Sequence, residues 1–131
     1  MQYILLIYSS QKMWDGKTPE QINQVMGEYN AFTESIVKSG NFKAGEELQP
    51  TTAATTVRVR NGKISTTDGP FVETKEQLGG FYLIEAKDLN EAIQIAAKIP
   101  SARYGGVEVR PVVDFSQEAA ASAAGQQTAK A

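Results

Sequence analysis

The chain contains neither cysteine nor histidine. Without cysteine there are no disulfides, no thiolate nucleophile and no zinc–sulfur site, and a reducing cytoplasm is the plain setting. Without histidine there is no Ser–His–Asp or Cys–His machinery, no imidazole metal ligand and no imidazole proton shuttle. Acid–base chemistry falls to Asp, Glu, Lys or Tyr, whose pKa values must be moved by burial or by neighbours. An all-oxygen metal site stays open, but no ladder such as D-x-D-x-D occurs; no metal is expected, and without a glycine-rich cofactor loop no cofactor is expected either.

Basic charge in excess is missing too. Thirteen Lys and Arg stand against 15 Asp and Glu, a net charge of −2, so nothing favours approach to a phosphate backbone and nucleic acid is not an expected partner. Long apolar runs are absent. The run Tyr3–Tyr8, "YILLIY", is far too short for a membrane span, and it follows Met1 too closely, with no basic segment, to be a signal peptide. What is present, 41% apolar and 21% charged residues over 131 positions, suffices for the core of one domain.

Periodicity orders the elements. Gln2–Ser9 is apolar on both faces, as expected of a central strand. Thr18-Pro19-Glu20-Gln21 reads as a helix start, with Thr as N-cap, Pro at the first helical position and Gln three residues after the cap. Ile22, Val25, Met26, Tyr29, Phe32, Ile36 and Val37 recur at steps of three and four and form one stripe, which Gly40 ends. Phe42–Leu48 is a weaker strand. Val57–Arg60 and Lys63–Thr66 flank Asn61-Gly62, the strongest short hairpin signal. Gly80–Ala86 is a strand, Ala92, Ile93, Ala96 and Ala97 give a second helix its apolar face, and Gly106–Val113 is the last strand. Without the hairpin this is strand–helix–strand twice, the ferredoxin-like α+β plan with an antiparallel sheet and both helices on one face. Residues 1–115 form the domain. Ser116–Ala131, rich in Ala, Gln and Ser, is expected to be a disordered or loosely helical tail.

Helices on one face leave the other face of the sheet to water, a partner or a ligand. The first strand is apolar there as well, which points to a homodimer formed sheet against sheet with twofold symmetry. In the last strand Val107 and Val109 face one way, Glu108 and Arg110 the other. The plainer account packs the valines under the helices and leaves Glu108 and Arg110 as an exposed pair. The sharper one turns the Arg110 guanidinium toward a carboxylate ligand between subunits.

Asp68-Gly69-Pro70-Phe71 has a mechanical reading. Asp bonds nearby amides, Gly permits unusual dihedrals, Pro ends the hairpin, and Phe71 anchors the turn in the core. Glu73, Lys75 and Glu76 then form a solvated helical turn. The whole run "DGPFVETKEQLGGFYLIEA" nevertheless resembles the signature of the YCII-related proteins of the DGPF type, in which Asp68, Gly69, Pro70, Phe71, Glu73, Thr74, Lys75, Glu76, Gly79, Gly80 and Phe81 all fall in place. The opening "YILLIY" and the closing "GGVEVRPV" look similar as well, so the resemblance covers Met1 to about Phe115. It implies a dimeric α+β barrel of ferredoxin-like halves, a cleft at the dimer interface with the Asp-Gly-Pro-Phe segment near it, and an association with extracytoplasmic-function sigma factors. A His–Asp pair suggested for related YCII proteins does not carry over to a chain without histidine.

Three functions from different classes follow. The first is a small-molecule binding module with a regulatory role, its ligand held by Asp68, Gly69, Pro70, Phe71, Glu73, Lys75, Glu76 and Arg110. The second is a cofactor-free isomerase or oxygenase in which Asp68 or Glu73 is the carboxylate base and Lys75 or Arg110 balances an enolate-like charge. The third is an interaction module for a sigma factor. Trp14 is read as a loop aromatic covering the core rather than stacking on a ligand, and Tyr8 and Tyr82 either offer hydroxyls to a pocket or sit as amphipathic core positions.

Overall fold

The computed structural model describes residues 1–116. Burial alternates along the first strand, β1 (Gln2–Ser9): Tyr3, Leu5 and Ile7 are buried, while Ile4, Leu6 and Tyr8 are half-buried. Helix α1 (Pro19–Lys38) begins as its sequence dictates. Thr18 Oγ1 accepts from the Gln21 amide at 3.1 Å and Gln21 Oε1 accepts from the Thr18 amide at 2.9 Å, which satisfies two amides that a helix start leaves unpaired. Gly40, at φ 82°, ends it in the left-handed region where a β-carbon is costly. Val25, Phe32 and Ile36 are the buried stripe. Met26 and Val37 sit at its margin and are exposed.

The chain continues through β2 (Phe42–Glu47), β3 (Thr55–Arg60), β4 (Lys63–Asp68), β5 (Gln77–Glu85), α2 (Leu89–Ala96) and β6 (Gly106–Pro111). The main sheet has the order β2-β5-β1-β6 with every pairing antiparallel. That is the ferredoxin-like α+β arrangement expected from the two strand–helix–strand halves. Tyr3, Leu5, Ile7 and Ile84 from the sheet meet Phe32, Ile36, Ala92 and Ile95 from the helices in one core, with Val107 and Val109 packed against it. Both valines therefore lie on the helix side. The Tyr82 ring packs edge-on to Phe32 and Phe42, with centroids 5.1 and 6.4 Å away, and its hydroxyl meets Thr33 Oγ1 at 2.7 Å.

Two expectations change in the helical layer. The inward residues of α2 are Ala92, Ile95 and Ala96, whereas Ile93 is exposed. The chain leaves α2 through Ile99, which is fully buried, and Ala92, Ile95, Ala96 and Ile99 keep helical steps of three and four that exclude Ile93. The segment 73–76 is not a helical turn: residues 73 and 74 are irregular and residues 75 and 76 form a bend.

Strands β3 and β4 pair with each other and with no strand of the main sheet. Asn61 and Gly62, at φ 53° and 76°, make the tight turn whose twist suits two antiparallel strands. The return strand runs on to Asp68, opposite Thr55. Among the described residues no helix is long and apolar enough to cross a membrane. All of the expected tail except Ser116 lies outside the described residues.

Candidate functional site

Three strands bring polar side chains to one end of the main sheet. β1 finishes there with Tyr8 and Ser9, β5 starts with Gln77 opposite Ser9, and β6 starts with Gly106 opposite Tyr8. A cleft of about 640 Å³ opens at this end, lined by Tyr8, Ser10, Thr74, Lys75, Glu76 and Tyr104. Local chemistry fixes the lining. Ser10 Oγ accepts from the Lys12 amide at 3.2 Å and caps the single helical turn Gln11–Trp14. The Thr74 hydroxyl donates to the Glu76 carbonyl. Tyr104 follows the turn Pro100–Arg103 and comes before Gly105, whose backbone passes so close to Tyr8 that a β-carbon would stand 2.1 Å from the Tyr8 carbonyl oxygen. That approach sets Tyr104 beside Tyr8.

The electrostatics are uneven. Lys17 Nζ lies 5.7 Å and Arg103 Cζ 5.5 Å from the Tyr104 ring centroid, and Arg103 also pairs with Glu28 at 2.7 Å. Hydrogen bonds that Arg103 donates to Tyr104 and, next, to Glu28 raise its pKa above the ordinary value. Neither Lys75 nor Glu76 enters an ion pair among the described residues, so both charges face the cleft or solvent. No group of three or more Asp or Glu side chains gathers as a metal site would need among those residues.

The Asp-Gly-Pro-Phe segment lies at the root of the hairpin. Asp68 is the last residue of β4 and is exposed. Gly69, at φ 113°, turns the chain in a conformation that L-residues avoid; its amide donates to the Ala54 carbonyl at 2.8 Å and its carbonyl accepts from Thr56 Oγ1 at 2.9 Å. Phe71 does not reach the core. It is 71% exposed, and the Arg58 guanidinium covers its ring at 4.8 Å from the centroid, because the turn at Gly69 carries the chain back along the hairpin and away from the sheet. Glu73 bends back toward Gly69, with Oε1 3.9 Å from where a Gly69 β-carbon would be.

Of the residues singled out from sequence, the structure brings Lys75 and Glu76 into the cleft and groups Asp68, Gly69, Pro70, Phe71 and Glu73 beside it at the hairpin root. Arg110 stands opposite Ile4, on the sheet face away from the helices. Its Nε donates to Glu108 at 3.0 Å. That hydrogen bond, before any other influence, raises the Arg110 pKa, and the Tyr8 hydroxyl lies within its electrostatic reach. Tyr8 lines the cleft, whereas Tyr82 is core cover. Sequence reasoning passed over Ser10 and Tyr104 as site residues. Gly105-Gly106 was the available signal, since adjacent glycines before a strand mark a close backbone approach.

Fold and site together define a small ferredoxin-like α+β protein with a polar cleft at one end of its sheet. Residues 1–116 match the YCII-related domain, and the chain belongs to that family. It is 39% identical over 114 residues to an uncharacterized protein of Rhizobium meliloti (strain 1021), covering 86% of this chain and 92% of that protein. Among solved structures it is similar to the 5-chloro-2-hydroxyhydroquinone dehydrochlorinase TftG of Burkholderia phenoliruptrix AC1100, in complex with 2,5-dihydroxybenzoquinone. That likeness has 14% identity over 86% of this chain and 94% of the other, with a TM-score of 0.48.

Proposed function

We propose that the protein is a regulatory binding module that holds a small polar organic molecule in a cleft shared by two copies of the chain. The observation that carries the reading is the convergence of the Tyr8, Ser10, Thr74 and Tyr104 hydroxyls with Lys75 and Glu76 around one opening. Its volume of about 640 Å³ falls in the usual range of small-molecule sites, roughly 300–1,000 Å³. Two aromatic rings offer faces, four hydroxyls give and take hydrogen bonds, and Lys75 supplies a positive charge for an anionic group. The second copy enters because Ile4, Leu6, Phe81 and Leu83 on the sheet face away from the helices are only half-buried, and Arg110 stands on that face next to them.

The same lining favours one alternative. Glu76 is a carboxylate beside two phenols, the arrangement a cofactor-free isomerase needs for proton abstraction, with Lys75 to balance the charge that develops. Asp68 and Glu73 act in neither scheme as lining groups; they position the wall.

A native mass spectrum of the protein purified gently from its host tests the reading. A dimer with added small-molecule mass that is lost from Lys75→Ala and Tyr104→Ala supports it. The same added mass retained by both variants puts the ligand elsewhere. A dimer bound to a sigma factor with no added mass replaces the binding module with an interaction module.

A further inference from the structure

The β3–β4 hairpin is the least self-sufficient part of the molecule. Val57, Val59 and Ile64 share one face, since Val59 is opposite Ile64, and they are 60%, 56% and 75% exposed. A lone two-stranded hairpin is marginal in water. The root of this one is closed by the two hydrogen bonds of Gly69 and by Arg58 over Phe71, and its apolar face stands open to solvent. The opposite face of the hairpin is cationic, since Arg60 is opposite Lys63 and Arg58 alternates with Val57 and Val59. Residues 55–67 carry Arg58, Arg60 and Lys63 and no acid, leaving ten basic and all 15 acidic residues to the rest of the chain. None of the three cations is ion-paired among the described residues, while Glu46 and Glu47 are exposed on the edge strand β2.

We propose that this hairpin is a clasp whose Val57, Val59 and Ile64 face packs on a second copy of the chain, leaving Arg58, Arg60 and Lys63 on its outer face. The proposal rests on the shared-cleft reading and adds what holds the two copies together. Area favours it. Four strands about 4.8 Å apart, averaging about seven residues each at roughly 3.4 Å, make a face of about 460 Å². A specific interface takes about 800 Å² from each partner. Each hairpin adds about 200 Å², and in a twofold assembly both clasps are counted, so the sheet face alone falls short and the clasps close the gap.

The test compares the full-length wild type with the double variant Val59→Glu/Ile64→Glu by sedimentation velocity over a concentration series. Hydrogen exchange of the hairpin amides is measured at both ends of that series. The expected result is a wild-type dimer that the double variant weakens about 100-fold, as the loss of two central apolar contacts implies. Its melting as a monomer should be unchanged, and in the wild type the hairpin amides should be protected only when dimeric. Val59→Thr/Ile64→Thr keeps strand-forming side chains and must weaken the dimer in the same direction. A wild type that is monomeric throughout overturns both the clasp and the shared cleft. A wild-type dimer that both double variants form equally well, or whose hairpin amides exchange as fast as in the monomer, overturns the clasp alone and hands the apolar face to some other partner.

Discussion

Gly105→Ala is the sharpest perturbation the structure offers. The added methyl carbon would meet the Tyr8 carbonyl oxygen at 2.1 Å, Ser9 Cα at 2.9 Å and the Tyr8 carbonyl carbon at 3.0 Å. Ordinary contact begins at 3.4 Å, so the shortfall at the oxygen is about 1.3 Å. All three obstacles are backbone, and no rotamer change relieves them. β1 and β6 must part where Tyr8 pairs with Gly106. Overpacking costs about 1–3 kcal/mol, and a backbone obstacle sets the cost at about 3 kcal/mol. For a folded body of this size that lowers Tm by roughly 12 °C. The neighbour is the control, because a β-carbon on Gly106 meets nothing within 4 Å, and Gly106→Ala should stay within about 0.5 kcal/mol of wild type. Urea and thermal melts of the three proteins measure both, with an unchanged m-value confirming that only native stability moved. A Gly105→Ala protein melting within about 2 °C of wild type, or a Gly106→Ala protein equally damaged, would refute the close approach that places Tyr104 at the cleft.

Two further substitutions probe the helical layer. The Tyr29 hydroxyl meets the buried Ser101 hydroxyl, and burial raises its pKa above 10.0. The folded state thus keeps the proton that the unfolded chain gives up, and this contribution is whole below pH 10 and eroded as pH rises through the folded value. Tyr29→Phe should cost about 1–3 kcal/mol at neutral pH by orphaning Ser101, and should flatten the decline in stability above pH 10; a decline as steep as wild type would assign it to other groups. Thr18→Ala removes the cap at the start of α1 and should cost about 1 kcal/mol in chemical denaturation, whereas a loss under about 0.3 kcal/mol would mean that the reciprocal bonds with Gln21 are not needed.

Legibility in the sequence followed the range of the interactions. Thr18, Gln21, Asn61 and Gly62 act on neighbours within a few residues, and each does what local chemistry demands. The alternation in β1 was legible for the same reason. Ile93 misled because apolarity does not say which side of a short helix faces the sheet; buried Ile99, beyond the helix, decides that. Phe71 misled because its fate depends on φ at Gly69 and on Arg58 across the hairpin. The cleft was half legible. Lys75 and Glu76 came from a conspicuous run of charges, but Ser10 and Tyr104 reach the same place from segments about a hundred residues away from each other, through strand pairings that no local pattern encodes.

The Asp68–Glu76 run joins the two features that otherwise seem unrelated. Its first residue closes the hairpin ladder opposite Thr55, and its last three form a wall of the cleft just before Gln77 enters the main sheet. Gly69 is the joint: two hydrogen bonds tie it to the hairpin, and Glu73 folds back against it. With so short a tether, whatever fixes the hairpin also restricts Thr74, Lys75 and Glu76. Under the clasp proposal, a second copy gripping the hairpin would order the wall that a ligand would touch. Binding free energies are reciprocal, so a ligand that orders the wall must tighten the grip by the same factor. The residue types of the motif suit a connector: a glycine at φ 113° for the reversal, a proline to end the ladder, and an aromatic ring to hold Arg58 against the hairpin.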